Sequence, residues 1–334
     1  DGDIDLYAGS YDPVSSSYKH FLLNNEMGKY TDVSDDAGLD HSGIESSAAF
    51  ADFDNDGFHD LFVMRDGGDI LYRNTGNGTF EEVTGKSKAG SRTGGNKALF
   101  FDMDHDGDLD LFEILPGSNL LLRNNADGTF EDQSGKLGPQ TGEIISTDAV
   151  FGDFDDDEDI DFIVVNKNSD PFLYSNQRQG VFKNIAGESG LSGHTGAGTI
   201  AAGDFNNDGY LDLFIGSANG GNHSLLINLR NGTFEKDNKT AELFLSMGNA
   251  NIYDASFLDF NNDGFLDLMV AGESNGSEER GIWLFYNDGK GSFTDVSNLF
   301  PAEPKSGKQI AIFDYNDDGD LDAVVSGLNG GVLL

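Results

Sequence analysis

One acidic nonapeptide recurs along the chain and constrains the fold more than any other feature. It reads Asp-x-Asp/Asn-x-Asp-Gly-x-x-Asp, and an apolar run follows it each time. The whole copies are FADFDNDGFHDLFV from Phe50, FFDMDHDGDLDLFE from Phe100, FGDFDDDEDIDFIV from Phe151, AGDFNNDGYLDLFI from Ala202, FLDFNNDGFLDLMV from Phe257 and IFDYNDDGDLDAVV from Ile312. A seventh, DGDIDLYAG at Asp1, is only a tail. The first acidic positions, from Asp52 to Asp314, are separated by 50, 51, 51, 55 and 55 residues. A period near 50 residues signals an array of supersecondary units that share their cores with neighbours.

Each unit carries a second signature. An apolar run ends in Asn, a Gly follows four residues later, and an aromatic follows two after the Gly. The Asn set is Asn24, Asn74, Asn124, Asn176, Asn228 and Asn287, and the aromatic set is Tyr30, Phe80, Phe130, Phe182, Phe234 and Phe293. Segments such as DLFVM, ILYRN and DLFIG are short and rich in strand formers. The NTGNGTF and NNADGTF stretches supply the Gly and Asn that tight hairpins need. The pattern predicts four strands per unit. A lone sheet of that size cannot bury both faces, whereas radial packing of several can.

The expected fold is all-β, a seven-bladed β-propeller of four-stranded antiparallel blades. The blades are placed near 1–34, 46–84, 96–134, 147–186, 198–238, 253–297 and 308–334. Asp1 matches the fifth loop position and the chain stops inside a third strand. The first and last blades therefore read as incomplete, and the chain reads as a segment of a longer polypeptide.

Composition narrows the function. The formal net charge is −39, which works against binding nucleic-acid phosphates or an anionic membrane. No run of about 18 apolar residues is present, so no membrane insertion is expected. The chain has no Cys, hence no disulfide framework and no thiolate chemistry.

The acidic loops read as metal sites. Side chains at positions one, three and five, a backbone carbonyl at seven and an Asp at nine offer an oxygen cage. Calcium accepts such cages and tolerates irregular geometry, whereas magnesium keeps more of its waters. Without Cys or clustered His, softer metals are not expected. The second blade supplies Asp52, Asp54, Asp56, Phe58 and Asp60; the third supplies Asp102, Asp104, Asp106, Asp108 and Asp110. The fourth has Asp153, Asp155, Asp157, Asp159 and Asp161, and the fifth Asp204, Asn206, Asp208, Tyr210 and Asp212. The sixth has Asp259, Asn261, Asp263, Phe265 and Asp267, and the last Asp314, Asn316, Asp318, Asp320 and Asp322. The first retains Asp1, Asp3 through its carbonyl, and Asp5. The expectation is one calcium per loop, about six to seven ions. These loops hold 30 of the 59 acids, so the carboxylates need no catalytic explanation.

An EF-hand is the rival reading and requires Glu at position twelve with flanking helices. Position twelve is instead Val63, Glu113, Val164, Ile215, Val270 and Val325, and strands flank each loop. Gly at position six permits the sharp turn. Glu158 replaces that Gly in the fourth blade, which predicts a strained turn there.

The stretch ADFDNDGFHDLFV…ILYRNTGNGTFEEV resembles the FG-GAP/VCBS repeat, the blade unit of integrin α propellers. YTDVSDDAGLDHSG from Tyr30 and FKNIAGESGLSGH from Phe182 are similar to the ASPIC/UnbV and cartilage-acidic-protein group. The resemblance implies calcium in the loop between the first two strands of each blade. It implies ligand binding, where that occurs, on the opposite face or between blades.

That face is built from the loops after the second and fourth strands. The long ones are 9–19, 85–97, 239–254, 272–281 and 298–309. His41 and His194 share a GL…H context there and read as loop-packing residues, with a shared site as the alternative. Trp283 sits where other blades have Ile70, Leu120 and Phe172, which favours the core over sugar stacking. No nucleophile elbow, phosphate loop or HExxH pair occurs. The expected function is an extracellular, non-catalytic binding, adhesion or scaffold module with a protein or glycan ligand. The alternatives are a lectin-like propeller and a polysaccharide-active domain. Extracellular placement rests on the calcium affinity of such modules, about 10⁻⁴–10⁻³ M, which cytosolic calcium would not satisfy.

Overall fold

Short apolar runs bounded by Gly, Asn and Asp form seven antiparallel sheets, taken in chain order. The computed structural model describes residues 4–12, 17–90, 94–138, 144–240, 242–274, 280–300, 305–327 and 332–333. Five sheets have four strands, and the first and last have three among the described residues. The second sheet shows the plan: Glu45–Ala51, Asp60–Arg65, Ile70–Asn74 and Phe80–Glu82, each paired with the next. The acidic loop joins its first two strands, as the repeat predicts.

Burial follows from stacking. Leu61, Phe62, Val63 and Met64 alternate sides of the second strand, yet all are buried. That requires apolar neighbours on both faces of the sheet. Phe53, Phe62, Met64 and Leu71 of the second sheet pack with Ala98, Leu111, Leu120 and Phe130 of the third. The same face-to-face packing joins the fourth and fifth sheets, the fifth and sixth, and the sixth and seventh. Outer strands are only three or four residues long, as at Phe80–Glu82 and Lys29–Asp32, and largely solvated. This is the all-β architecture of a β-propeller.

The contacts divide the chain into two compact units, each with its own cores. One is Asp1–Ser146 with Asn176–Phe182 and Tyr315–Asp317; the other is Thr147–Ser175, Lys183–Asp314 and Asp318–Leu334.

The repeated Asn works as a latch. Asn124 Nδ2 donates to Phe53 O at 2.7 Å, reaching from one sheet to the acidic loop of the sheet before it. Asn176 reaches Met103 O at 2.9 Å, Asn228 reaches Phe154 O at 2.8 Å and Asn287 reaches Phe205 O at 2.7 Å. In the first sheet the latch is Asn25, which donates to Tyr315 O at 3.0 Å. The expected Asn24 is therefore displaced by one. Asn25 pairs with Tyr30 across a short turn at Met27 and Gly28, whereas Asn74 pairs with Phe80 across a longer one.

Trp283 pairs with Val270, in the place Ile70 takes opposite Val63, and is buried beside Phe244 and Phe285. It is a core residue. Glu113 is buried within the strand Asp110–Ile114, so the one Glu at position twelve forms part of a sheet and of no helix–loop–helix.

Candidate metal centre

The acidic loops share one hydrogen-bond scheme. Position one folds the loop: Asp52 Oδ1 accepts from Asp56 N at 3.0 Å and Oδ2 from Gly57 N at 2.9 Å. Asp102, Asp153, Asp204, Asp259 and Asp314 make the same two bonds to positions five and six. Position five then accepts from the N–H of position seven, which is Phe58, Asp108, Asp159, Tyr210, Phe265 or Asp320.

Position nine is buried beneath the loop. Asp60 Oδ1 accepts from Asn74 N at 2.7 Å and Oδ2 from Phe53 N at 3.0 Å. Asp110 and Asp267 repeat both bonds; for Asp161 and Asp212 one bond each is seen, from Phe154 N and Asn228 N. Asp5 Oδ1 accepts from Asn25 N at 2.9 Å, which identifies it as position nine of the first loop. Asp1 and Asp3 lie outside the described residues.

Position three supplies the informative atom. Oδ1 of Asp54, Asp104, Asp155 and Asn206 is buried and has no hydrogen-bond partner. Leaving such an oxygen unsatisfied costs roughly 1–3 kcal/mol each time. In three loops it stands beside two other carboxylates. Asp52, Asp54 and Asp60 bring oxygens within 4.8 Å of one another, as do Asp102, Asp104 and Asp110, and Asp153, Asp155 and Asp161. Positions one, three and nine thus converge as expected, while position five is not part of these triads.

Crowding shows in the acidities. Burial, with the flanking carboxylates adding to it, pushes Asp60, Asp110 and Asp212 up to about 7. The same causes push Asp155 and Asp267 up to about 6.

Two basic residues escaped the sequence reading. Arg73 Nε donates to Asp54 Oδ2 at 2.5 Å and its Nη2 to Asp56 Oδ2 at 2.6 Å. Arg123 bridges Asp104 and Asp106 in the same way. Both arginines directly precede the latch Asn, as in ILYRN and LLLRN, and that was their available signal. The fork takes Oδ2 of positions three and five and leaves Oδ1 of position three uncovered. In the fourth sheet the equivalent residue is Ser175, and in the sixth Tyr286 donates to Asp263 Oδ2 at 3.2 Å.

Backbone geometry explains the loop spelling. Position six has positive φ throughout, for example 92° at Gly57, and Glu158 adopts 72°. A Cβ at Gly57 would meet nothing within 4 Å, so conformation rather than space selects Gly. Position four is also left-handed, at Asn55, His105, Asp156, Asn207, Asn262 and Asp317, with φ of 55° to 63°. Its side chain links neighbouring loops: Asn55 Nδ2 donates to Asp108 Oδ1 and Asn262 Nδ2 to Asp320 Oδ1, both at 2.7 Å. His59 and His105 are exposed, as expected of non-ligand positions.

His194 is buried and bonded to Leu191 O at 3.1 Å, a packing role. His41 is different. It faces His20, Glu45, Tyr7 and Tyr72. The sequence-based expectation of no clustered histidine does not hold, because His20 on a strand of the first sheet meets His41, 21 positions on, in the loop that follows the short helix.

Comparison with known proteins adds the following. The family described as FG-GAP-like repeat matches residues 1–63, 52–113, 102–164, 153–215, 204–270 and 259–325. That is six repeat units, one fewer than the seven blades expected, since each matched segment runs from one acidic loop past the next. Cartilage acidic protein 1 of Xenopus tropicalis is 30% identical over 146 residues, 42% of this chain and 21% of that protein. The chain thus matches about a fifth of that relative's length. Among solved structures, an Agrocybe aegerita lectin that recognises non-reducing terminal N-acetylglucosamine superposes with a TM-score of 0.57. It is 18% identical, with 100% of this chain and 85% of the lectin covered. A Bacillus licheniformis rhamnogalacturonan lyase gives 0.48 at 14% identity, covering 98% of this chain and 59% of the lyase.

Proposed function

Because the chain belongs to the FG-GAP-like repeat family, we propose that it is a calcium-stabilised extracellular propeller that binds a ligand without catalysing a reaction. The observation that carries this reading is the orphaned position-three oxygen. It recurs in four loops, and in three of them it sits within reach of two further carboxylates. A proton satisfies one oxygen. A hard divalent cation satisfies all three and offsets the burial, and the lesser carboxylate repulsion, that raise Asp60, Asp110 and Asp212.

The donor set fits calcium. All offered atoms are oxygen, and the carboxylates are already oriented by backbone N–H groups. Position seven would add its carbonyl and water the remainder. Calcium would serve as a staple: it neutralises the turn, and position nine transmits that order to the third strand through Asn74 N or its equivalents.

We read the seven sheets as seven blades. The Asn25 bond to Tyr315 supports this, since it repeats the latch found between consecutive sheets. The ligand, a protein in our first reading, would use the loops after the second and fourth strands, whose lengths vary most. A glycan is the second reading.

Calorimetric titration of chelator-treated protein tests the calcium staple. We expect several calcium equivalents with dissociation constants near 10⁻⁴–10⁻³ M, and magnesium binding much more weakly. Absence of calcium heats at these concentrations defeats the reading. A glycan array separates the ligand classes: selective, calcium-dependent glycan capture would replace the protein reading with the lectin one.

A further inference from the structure

We propose a second kind of metal site, for a zinc-class divalent ion, formed by His20, His41 and Glu45. It is independent of the calcium loops. Glu45 opens the strand Glu45–Ala51, so it lies roughly 20 Å along the sheet from Asp52. His20 lies on the strand Ser17–Glu26 of the first sheet, and His41 follows the short helix Ser34–Ala37. Ligand atoms of the three side chains all lie within 4.8 Å of one another.

The placement of the donor atoms carries the argument. His20 Nε2 stands 2.7 Å from Leu39 O. A carbonyl only accepts, so Nε2 bears the hydrogen and the neutral ring keeps its lone pair on Nδ1. That lone pair faces Glu45 Oε1 at 3.8 Å. His41 Nε2 faces the same oxygen at 2.8 Å, while its Nδ1 meets Tyr72 Oη at 3.0 Å. Two imidazole nitrogens therefore converge on one carboxylate oxygen, His41 Nε2 at hydrogen-bond distance and His20 Nδ1 beyond it.

The rings stack with centroids 4.0 Å apart and planes 12° apart, so holding one ion requires one ring to turn until both nitrogens aim at it. The His41 side chain is only 1% exposed, His20 14% and Glu45 11%, so water competes little for their donor atoms. One dication answers both lone pairs and the carboxylate. Tetrahedral zinc with N and O ligands sets ligand atoms on the order of 3.4 Å apart, between the two separations seen here.

The surroundings match a metal centre. A backbone carbonyl on the far nitrogen of His20 and a phenol on that of His41 are the outer partners that orient metal-bound imidazoles. Tyr7 Oη lies 3.1 Å from His41 Nε2, and burial beside Glu45 keeps that phenol protonated. Gly9 makes room for the carboxylate, because a Cβ there would meet Glu45 Oε2 at 2.8 Å. Glu45 also borders a shallow groove lined by Gly9, Ser10, Tyr18, Lys19 and Gly43. A further ligand, water or a carboxylate of a bound partner, would approach the three residues from there. Imidazole and carboxylate together select zinc-class ions rather than calcium.

The test uses the full chain in calcium high enough to fill the acidic loops. Zinc is titrated by calorimetry, and the metal shell is read by X-ray absorption at the zinc edge. We expect one zinc equivalent of micromolar or tighter affinity and a shell containing two imidazoles. Affinity should fall at least tenfold in His20→Gln and in Glu45→Gln, and stay unchanged in His194→Gln. Circular dichroism checks that each variant is folded. If Glu45→Gln fails to fold, the wild-type zinc-edge spectrum decides alone. No zinc uptake in the presence of calcium, or an all-oxygen shell, overturns the site and leaves a proton-bridged His–Glu cluster.

Discussion

Glu158 stands where five other loops have Gly, and its φ of 72° is a conformation that an L residue with a Cβ resists. Replacing it with Gly should stabilise the protein by about 1 kcal/mol, read from denaturant midpoints at saturating calcium. A loss of stability would mean the Glu158 side chain contributes more than its backbone costs. His223 makes a different residue-scale prediction. Burial pushes it down to about 4, and its Nδ1 accepts from Ser217 N at 3.1 Å. The depressed value means the unfolded chain binds the proton more readily than the fold does. This contribution is therefore complete above about pH 6.5 and is lost as pH falls towards 4, reaching about 3 kcal/mol. His223→Gln keeps an acceptor without the titration, so its stability should be flatter across that window. An unchanged pH profile would remove His223 as the cause. At this scale the sequence was readable where chemistry repeats at fixed spacing, as with Asp52 to Asp60. It was not readable where partners meet through the fold: His20 lies on a strand and His41 in the loop after the short helix, and neither flanking sequence names the other.

The element scale is governed by how a loop is tied to its sheet and to the next one. Asn228 illustrates the tie. Its Nδ2 donates to Phe154 O and Leu211 O, and its Oδ1 accepts from Arg230 N at 2.9 Å. The side chain is buried, so Asn228→Ala leaves two carbonyls and one amide unpaired. We expect a loss of roughly 2–4 kcal/mol in equilibrium unfolding. An effect below 1 kcal/mol would show that water replaces the latch. The arginine fork predicts a difference among loops. Arg73 neutralises part of the Asp54–Asp56 charge, while its side chain is 38% exposed, so its own contribution is under about 1 kcal/mol. Arg73→Met should lower the stability of the chelated protein slightly and raise calcium affinity a few-fold at that loop. Weaker calcium binding in the variant would mean that the fork organises the site rather than competing with the ion. Four strands per repeat were legible because DLFVM, ILYRN and their homologous runs alternate with turn spellings. The fork was not, since an Arg before Asn reads as an ordinary exposed strand residue until the loop folds over it. The one-residue error at Asn24 has a similar origin. Gly28 and Tyr30 kept their spacing from Asn24, but the turn in that hairpin is shorter, so Asn25 takes the inward position.

At the scale of the whole molecule, 59 acids against 20 basic residues make charge the leading problem of the metal-free protein. Thirty of those acids belong to the acidic loops, and in three of the loops carboxylate oxygens lie within 4.8 Å of one another. Each calcium bound at millimolar concentration contributes about 1 kcal/mol by mass action, and several together approach the whole stability of an ordinary domain. Chelation should then lower the melting midpoint by about 10 °C. A second variable separates electrostatic relief from a purely geometric role of the ion. Monovalent salt screens exposed like charges over about a Debye length but does not coordinate position three. In chelator, raising sodium chloride from low to physiological strength should recover part of the lost midpoint. In saturating calcium the same change should do little, because the turns are already neutralised. If salt moves both forms equally, repulsion between the loops is not what calcium relieves. If salt restores the chelated protein fully, the orphaned oxygens of Asp54, Asp104 and Asp155 are satisfied by water, and the ion is dispensable to the fold.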